Sequence, residues 1–219
     1  MIVFIGGHEN TGTRLIVEIL NKVGFQMVGR CNATKDYMGS RFHKSFFSQY
    51  YKHKNNINIL IDQIKKDTQN SKLSVIKHGH LMLLIPELKK HFQGSIFITC
   101  IRNTFDQLVK PSHNYQKYGG FDTWNPSIEE KFNFYKNWND IGIKNADYII
   151  KLEDLLYNKL LTITNLFNYL NIKNEINSKI LNIIGPPSKN VKKGIKYFSQ
   201  NKEKHKEIIK YAEEIGYKL

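Results

Sequence analysis

Cysteine is scarce in this sequence, and long apolar runs are missing from it. The 219 residues include only two cysteines, Cys31 and Cys100, which are too few for the disulfide framework of a small secreted domain. No apolar run approaches the roughly 20 residues that a membrane-spanning helix needs. The chain opens directly into the apolar residues 2–5, without the basic stretch of a signal peptide. These absences predict a soluble protein of the cytoplasm.

Linkers and repeats are also missing. Hydrophobic residues make up 41% of the chain and aromatic residues 12%, which is enough for a packed core and excludes general disorder. No Pro/Ser-rich linker or internal repeat divides the sequence. The length therefore predicts a single domain over residues 1–219.

Arginine is rare, although the chain is strongly basic. The formal net charge is +14, yet only four of the 33 basic residues are arginine: Arg14, Arg30, Arg41 and Arg102. A basic excess of this size favours an anionic partner, such as nucleic acid, a membrane surface or a small polyanion, or else reflects a solvated lysine-rich surface. Because a guanidinium binds phosphate or sulfate with two parallel hydrogen bonds, the arginines are the more informative positions.

Short apolar runs alternate with helical patterns along the chain. Strand candidates are residues 2–5, 25–29, 73–77, 95–101 and 147–151, and helical spacing lies at about 13–23, 42–53, 56–69, 81–92, 104–117 and 127–142. Beyond residue 151 the pattern is helical, apart from a loop over 185–197. This alternation predicts a three-layer α/β fold, in which a central, mostly parallel sheet of four or five strands is flanked by helices. Ligands of such sheets bind beyond the carboxyl ends of the strands, so we expect chemistry just after residues 5, 77, 101 and 151.

The first of these places is a glycine-rich turn. Gly7 and Gly12 have the G-x4-G spacing of a loop that cradles phosphate with its backbone amides, at the start of a helix. In nucleoside-triphosphate enzymes the next residues are Lys, which contacts phosphates, and Ser or Thr, which contacts magnesium. Thr13 and Arg14 occupy these positions here. The loop therefore predicts anion binding without an obligatory metal and disfavours a metal-dependent kinase or ATPase.

A second anion site is expected after residues 95–101. Arg102 follows this strand directly, and Asn103 with Asp106 three residues later has the pattern of a helix start. An arginine at a strand tip beside a helix N-terminus suits a second anionic group. The alternative is a surface arginine that pairs with Asp106.

Five segments resemble the sulfotransferases that use 3′-phosphoadenosine 5′-phosphosulfate, and they occur in that family's order. Thr11-Gly12-Thr13 matches the core of the 5′-phosphosulfate loop, and residues 101–106 resemble the 3′-phosphate segment. Residues 76–86 are similar to the stretch that holds the family's catalytic histidine. Residues 148–156 resemble its Glu-Asp-Leu strand end, and residues 191–195 resemble its C-terminal nucleotide-binding loop.

The resemblance implies a P-loop NTPase-like fold and transfer of a sulfuryl group to a hydroxyl or amine of a small molecule, glycan or peptide. It implies no metal, no membrane span and no specific nucleic-acid partner. By the same resemblance, the residues expected to bind the co-substrate are Gly7, Asn10, Thr11, Gly12, Thr13, Arg14, Arg102, Ser112, Lys192, Lys193 and Gly194.

The catalytic residues depart from the family's pattern. Asn10 stands where the family's loop carries a catalytic Lys or Arg, so Lys77 or Arg14 is expected to face the leaving phosphate. The family's histidine position falls on a glycine between His78 and His80. In an extended segment both histidines would point to the same side, and we expect His80 to be the base, with His78 in reserve. Glu9 is a further candidate for the base.

Two other functions remain open. A related P-loop kinase for a small molecule or nucleotide would fit the glycine-rich turn but not the missing loop lysine. A catalytically silent module that binds nucleotides or polyanions would fit both Asn10 and the displaced histidine. Among the remaining residues, Phe132, Tyr135 and Trp138 recur at helical spacing and are expected in the core. Glu153 and Asp154 are expected to have structural roles.

Overall fold

The description below rests on a computed structural model, which describes residues 1–8, 10–29, 35–37, 57–109, 126–186 and 193–219.

Five parallel strands form one sheet in these residues. They are β1 (Ile2–Gly7), β2 (Gln26–Met27), β3 (Ser74–Lys77), β4 (Ile96–Ile101) and β5 (Tyr148–Lys151), in the spatial order β2-β3-β1-β4-β5. All four strand pairs are parallel. The prediction of a central parallel sheet of four or five strands is confirmed. Four of the five strand candidates contain one of these strands, and β1 extends two residues beyond the candidate 2–5.

The helices follow the predicted pattern with one correction. They are α1 (Thr13–Lys22), α2 (Ile57–Thr68), α3 (Leu81–His91), α4 (Thr104–Leu108), α5 (Ile128–Asn145), α6 (Leu152–Tyr157), α7 (Lys159–Tyr169), α8 (Ser178–Leu181), α9 (Lys193–Gln200) and α10 (Lys206–Glu214), with a 3₁₀ turn at Glu203–His205. The predicted loop over 185–197 is wrong at its end, because α9 begins at Lys193. The predicted helix at 42–53 and the end of the one at 104–117 lie outside the described residues. None of the described helices has the length and apolar character needed to cross a membrane.

Both faces of the sheet are covered because the residues of β1 alternate between two cores. Val3 and Ile5 point into one apolar cluster, which they share with residues of α1 and α7. Phe4 points to the other face, where it stacks on Phe97 with a ring-centroid distance of 4.6 Å and joins residues of α2 and α3. A strand buried on both faces is what the continuous apolar run 2–5 predicts. The sheet and its two helical layers together form the three-layer α/β architecture.

A third apolar cluster covers the end of β4. It combines Phe105 and Leu108 of α4 with Tyr135 of α5, Phe198 of α9 and Tyr211 of α10. The C-terminal helices therefore pack around the short helix that follows β4, and they fix this helix at the carboxyl edge of the sheet.

The contact between α9 and α4 leaves no room for a side chain at Gly194. Its backbone N–H donates to the Asp106 carboxylate at 3.1 Å. A Cβ atom at Gly194 would lie 2.2 Å from the backbone carbon and oxygen of Phe105, a distance that only a displacement of one helix can relieve.

We therefore expect Gly194→Ala to lower the free energy of unfolding by about 1–3 kcal/mol, the usual cost of overpacking. Gly185→Ala is the matched control, because no atom of the described residues lies within 4 Å of a Cβ at that position. Thermal unfolding followed by circular dichroism measures both variants. Equal melting temperatures would contradict the close packing of α9 on α4.

Candidate functional site

Three of the predicted site segments meet at the carboxyl edge of the sheet, where β1 lies between β3 and β4. The turn after β3 is tied to β1, since the N–H of His78 donates to the Ile5 carbonyl at 3.1 Å. The turn after β4 reaches the glycine-rich loop, since Nη1 of Arg102 donates to the Asn10 carbonyl at 3.4 Å. The strand order thus brings together residues as far apart in sequence as Asn10 and Arg102, which are separated by 92 positions.

The glycine-rich loop folds back on itself before α1. The hydroxyl of Thr11 donates to the carbonyl of His8 at 2.6 Å, and Asn10 and Gly12 both have positive φ, at 61° and 88°. Gly12 relaxes this conformation because it has no Cβ, and Asn tolerates it better than most residues. The loop therefore presents backbone rather than side chains at the start of the helix.

A helix N-terminus without a capping side chain lies at the end of this loop. Gly12 is the N-cap residue of α1, no side chain accepts a hydrogen bond there, and the first turn contains no acid. The first N–H groups of a helix lack intrahelical partners and carry a partial positive charge. This end of α1 is thus chemically suited to an anion.

Arg14 adds an exposed cation to the first turn of α1. Its side chain is 58% exposed, and among the described residues it pairs with Glu18 one turn further along, at 3.6 Å. An exposed i,i+4 pair of this kind contributes only about 0.3–0.5 kcal/mol, so the guanidinium can exchange this partner for a ligand at little cost. Thr13, beside it, is buried.

Arg102 is a buried cation that pairs with no acid in the part of the chain that the structure describes. The residue is 5% exposed, its hydrogen bond to the Asn10 carbonyl is long, and Nε is buried without an acceptor within the described part of the chain. The alternative pairing with Asp106 is not observed, since that carboxylate accepts the N–H of Gly194 instead. Burying an unpaired charge is costly, so this guanidinium is an expected site for an anion from outside the chain.

The turn that carries Arg102 is held by hydrogen bonds from several elements. Asn103 caps α4 by accepting from the N–H groups of Phe105 and Asp106, as the sequence pattern predicts. The hydroxyl of Tyr135 donates to the Arg102 carbonyl at 2.6 Å, and a carboxylate oxygen of Glu153 accepts the N–H of Asn103 at 3.1 Å. Glu153 therefore has the structural role expected of it.

Lys77 is a second buried cation at this edge, but it has a partner. Its Nζ lies 2.7 Å from a carboxylate oxygen of Asp36, and its side chain is only 9% exposed. The segment that carries Asp36 docks on the tip of β3, since the N–H of Tyr37 donates to the Lys77 carbonyl at 2.6 Å. The positive charge of Lys77 is thus balanced inside the chain, and sequence reasoning missed the acid that balances it.

His78 and His80 lie side by side, but not for the expected reason. They sit in a turn rather than an extended segment, because His80 already has helical φ and ψ at the start of α3. Their ring centroids are 5.1 Å apart, and the N–H of His80 donates to Nδ1 of His78 at 3.2 Å. This bond makes Nδ1 of His78 an acceptor, so neutral His78 carries its proton on Nε2.

A third histidine, His8, was missed in the sequence. It is buried inside the loop, and its Nδ1 lies 2.9 Å from Nε2 of Gln107 on α4. Trp138 of α5 lies between the histidines, with its ring 5.4 Å from His8 and 4.7 Å from His80. The prediction that Phe132, Tyr135 and Trp138 face the core is confirmed. Nothing local marks His8, whose position inside the glycine motif was its only signal.

Cys100 is buried beside this edge and is not a nucleophile. Burial raises the pKa of its thiol to about 12, while the charge of Lys77 acts in the opposite direction. A thiol with this pKa stays protonated at neutral pH, and only the thiolate reacts.

The remaining predicted site residues are divided by what the structure describes. Lys193 is exposed at the start of α9, next to Gly194. Ser112, Lys192 and Glu9 lie outside the described residues. Within the described ranges, no group of three or more His, Cys, Asp or Glu side chains is placed to hold a metal ion.

The sequence matches no protein-family model and no curated protein, but solved structures resemble the fold. The sulfotransferase domain of the Synechococcus PCC 7002 olefin synthase has a TM-score of 0.58 at 14% identity, over 100% of this chain and 95% of that domain. The sulfotransferase domain of the curacin biosynthetic pathway has a TM-score of 0.54 at 11% identity, over 89% of this chain and 80% of that one.

A kinase also resembles the chain. Shikimate kinase from Bacteroides thetaiotaomicron has a TM-score of 0.51 at 12% identity, over 78% of this chain and 98% of the kinase. At these identities the likeness concerns the fold alone. The chain has a sulfotransferase-like fold. This fold belongs to the P-loop NTPase-like class, and so does the fold of shikimate kinase.

Proposed function

We propose that this protein is a sulfotransferase, which moves the sulfuryl group of 3′-phosphoadenosine 5′-phosphosulfate to a hydroxyl or amine of an acceptor. The observation that carries the proposal is the buried guanidinium of Arg102, which contacts the glycine-rich loop and pairs with no acid among the described residues. Two anion-binding features at the tips of neighbouring strands suit one ligand that carries an anionic group at each end.

The 5′-phosphosulfate would bind at the loop and the first turn of α1. Gly7 and Gly12 keep side chains out of the loop, and the amides of the uncapped helix end would donate to the anion. A Cβ at Gly7 would lie 2.6 Å from the hydroxyl of Thr11 and 2.7 Å from the Cys100 carbonyl, so the loop depends on glycine there. Thr13 and Arg14 would add a hydroxyl and a charge.

The 3′-phosphate would bind at Arg102, whose burial strengthens a charge-assisted hydrogen bond. Lys193 and Gly194 approach the turn of Arg102 from α9, because the N–H of Gly194 donates to Asp106 of α4, the helix that begins just after Arg102. Ser112 and Lys192 complete the proposed set on the strength of the family resemblance.

Sulfuryl transfer needs positioning and stabilisation of the charge that develops on the leaving 5′-phosphate. The transferred group carries less charge than a phosphoryl group, which makes a metal less necessary. Asn10 supplies no charge, so Arg14 is the proposed cation at the leaving group. Lys77 is the weaker choice, because Asp36 already balances it.

His80 is the proposed base for the acceptor hydroxyl. Neutral His78 has its acceptor nitrogen occupied by the N–H of His80, so it presents an N–H donor rather than a lone pair. An unperturbed histidine titrates near pH 6.5, which suits a base at neutral pH, and such a base contributes roughly 10²- to 10⁴-fold.

The kinase alternative draws on the likeness to shikimate kinase, but the residues oppose it. Thr13 stands where a triphosphate loop has its lysine, and Arg14 stands where it has the magnesium-binding hydroxyl. A silent binding module would share the whole anion site and lack only turnover. The ligand that stabilises the protein distinguishes a kinase from the other two functions, and turnover distinguishes the sulfotransferase from the silent module.

Adenosine 3′,5′-bisphosphate without magnesium should raise the melting temperature of the protein. At a concentration 100 times its Kd it adds about 2.7 kcal/mol, which corresponds to a shift of roughly 5–10 °C for a chain of this size. Differential scanning fluorimetry with the bisphosphate, and separately with ATP and magnesium, gives the comparison. A response to magnesium-ATP alone would favour the kinase, and bisphosphate binding without turnover over a broad acceptor panel would favour the silent module.

Arg102→Met and Lys77→Met should have opposite consequences, although both remove a buried cation. Arg102→Met removes an uncompensated charge, so the ligand-free melting temperature should be kept or raised, while affinity for the bisphosphate falls at least tenfold. Lys77→Met removes the ion pair with Asp36 and should cost about 1–3 kcal/mol of stability. Calorimetric titration and thermal unfolding measure both variants. Unchanged bisphosphate affinity in Arg102→Met would remove that residue from the site.

The catalytic assignments predict a separation of turnover from binding. His80→Gln should lower kcat by roughly 10²- to 10⁴-fold with little change in bisphosphate affinity, and His78→Gln is the matched control with a smaller effect. Arg14→Ala should lower turnover much more than thermal stability, because its side chain is exposed. Sulfate-transfer assays on purified variants measure this. A His78→Gln variant less active than His80→Gln would reverse the assignment of the base.

A further inference from the structure

Two side chains hydrogen-bond to one peptide group in the described structure, one at its carbonyl oxygen and one at its N–H. This peptide group joins Arg102 to Asn103. Its carbonyl oxygen accepts the hydroxyl of Tyr135 at 2.6 Å, and its N–H donates to the Glu153 carboxylate at 3.1 Å. Because a peptide group is planar, fixing its oxygen and its N–H fixes the plane from which the Arg102 side chain departs.

Within the described ranges, no strong contact orients the side chain of Arg102. Its described hydrogen bond, to the Asn10 carbonyl, has a length of 3.4 Å, at the limit for such a bond. The direction of the guanidinium is therefore set mainly by the backbone and by the surrounding packing.

Glu153 is held in turn by the C-terminal end of the chain. The hydroxyl of Tyr217 donates to the second carboxylate oxygen of Glu153 at 3.1 Å. Burial and the charge of Glu153 raise the pKa of Tyr217, and burial raises the pKa of Tyr135 to about 12. Both hydroxyls consequently stay protonated and act as donors at every physiological pH.

The turn that ends α10 places the hydroxyl of Tyr217 beside the carboxylate of Glu153. Gly216 adopts a φ of 84°, and the N–H of Tyr217 donates back to the Ala212 carbonyl at 2.8 Å, which is the closing bond of a Schellman motif. Lys151 donates to the Gly216 carbonyl at 3.2 Å, and its Nζ lies 4.8 Å from the centre of the Tyr217 ring. The tail is thus fastened to the end of β5.

We propose that Tyr217, acting through Glu153, and Tyr135 are positioning residues for Arg102, and that they set the preference for a nucleotide with a 3′-phosphate. The inference rests on the proposed function, in which Arg102 binds that phosphate. Neither tyrosine needs to touch the ligand, since each acts on the peptide group that carries the arginine.

The test compares two nucleotides on Tyr217→Phe, which removes one hydroxyl and keeps the buried ring. Calorimetry gives the Kd of adenosine 3′,5′-bisphosphate and of adenosine 5′-phosphate, which lacks the 3′-phosphate. The preference for the bisphosphate should fall about five- to tenfold, the effect of one hydrogen bond, while the affinity for the 5′-phosphate stays the same. Tyr135→Phe should act in the same direction. A purely structural role would lower the melting temperature without changing this ratio.

Tyr211→Phe is the matched control. Tyr211 is also buried and lies in α10 itself, but in the described residues its hydroxyl bonds neither Glu153 nor the peptide group between Arg102 and Asn103, so its loss should leave the ratio unchanged. A parent preference for the bisphosphate that Tyr217→Phe preserves would overturn this assignment alone. A parent protein with no such preference would overturn the proposed function, and this assignment with it.

Discussion

The carboxyl edge of the sheet depends on a buried positive charge that no acid in the described chain balances. Arg102 is nearly inaccessible to solvent, and folding must therefore meet the cost of removing its guanidinium from water. Within the described residues, hydrogen bonds and packing of the surrounding elements offset this cost, rather than a counter-ion. Hydrogen bonds from α5 and α6 hold its peptide group, and α4 begins immediately after it with a capped N-terminus. A site that keeps a charge unpaired at rest gains most when an anion arrives.

Lys77 shows the opposite solution at the neighbouring strand. It is buried to a similar degree, but Asp36 balances it at 2.7 Å, so this pair contributes to the fold and adds little net charge to the edge. Lys77 and Arg102 therefore differ in what their positive charges contact. Lys77 fastens the segment at 35–37 to the tip of β3, whereas Arg102 pairs with no acid among the described residues and Arg14 pairs only with the partly exposed Glu18. The formal charge of +14 over the whole chain adds a general attraction for anions that salt screens.

Local pattern was sufficient for the framework of the molecule and insufficient for its contacts. The run 2–5 predicted a doubly buried strand because a strand buried on both faces cannot alternate, and the alternation of strands and helices predicted the parallel sheet. Asp36 and His8 were missed because their importance comes from partners 41 and 99 residues away. The error at 193–197 has a similar cause. Gly194, in the first turn of α9, packs on α4, whereas a glycine considered without its neighbours predicts the interruption of a helix.

Asn10 looks like a loss when it is compared with the lysine or arginine of the sulfotransferase loop, but the backbone gives it a structural reason. Its φ of 61° is in the left-handed region, where asparagine is several-fold enriched and a long side chain is disfavoured. In this conformation its carbonyl accepts from Nη1 of Arg102. The residue therefore connects the loop at the tip of β1 to the arginine at the tip of β4 through its backbone. Since Lys35 adopts a φ of 62° in the same chain, the left-handed backbone disfavours a lysine here without forbidding it, and the role of Asn10 in this structure is that of its backbone carbonyl.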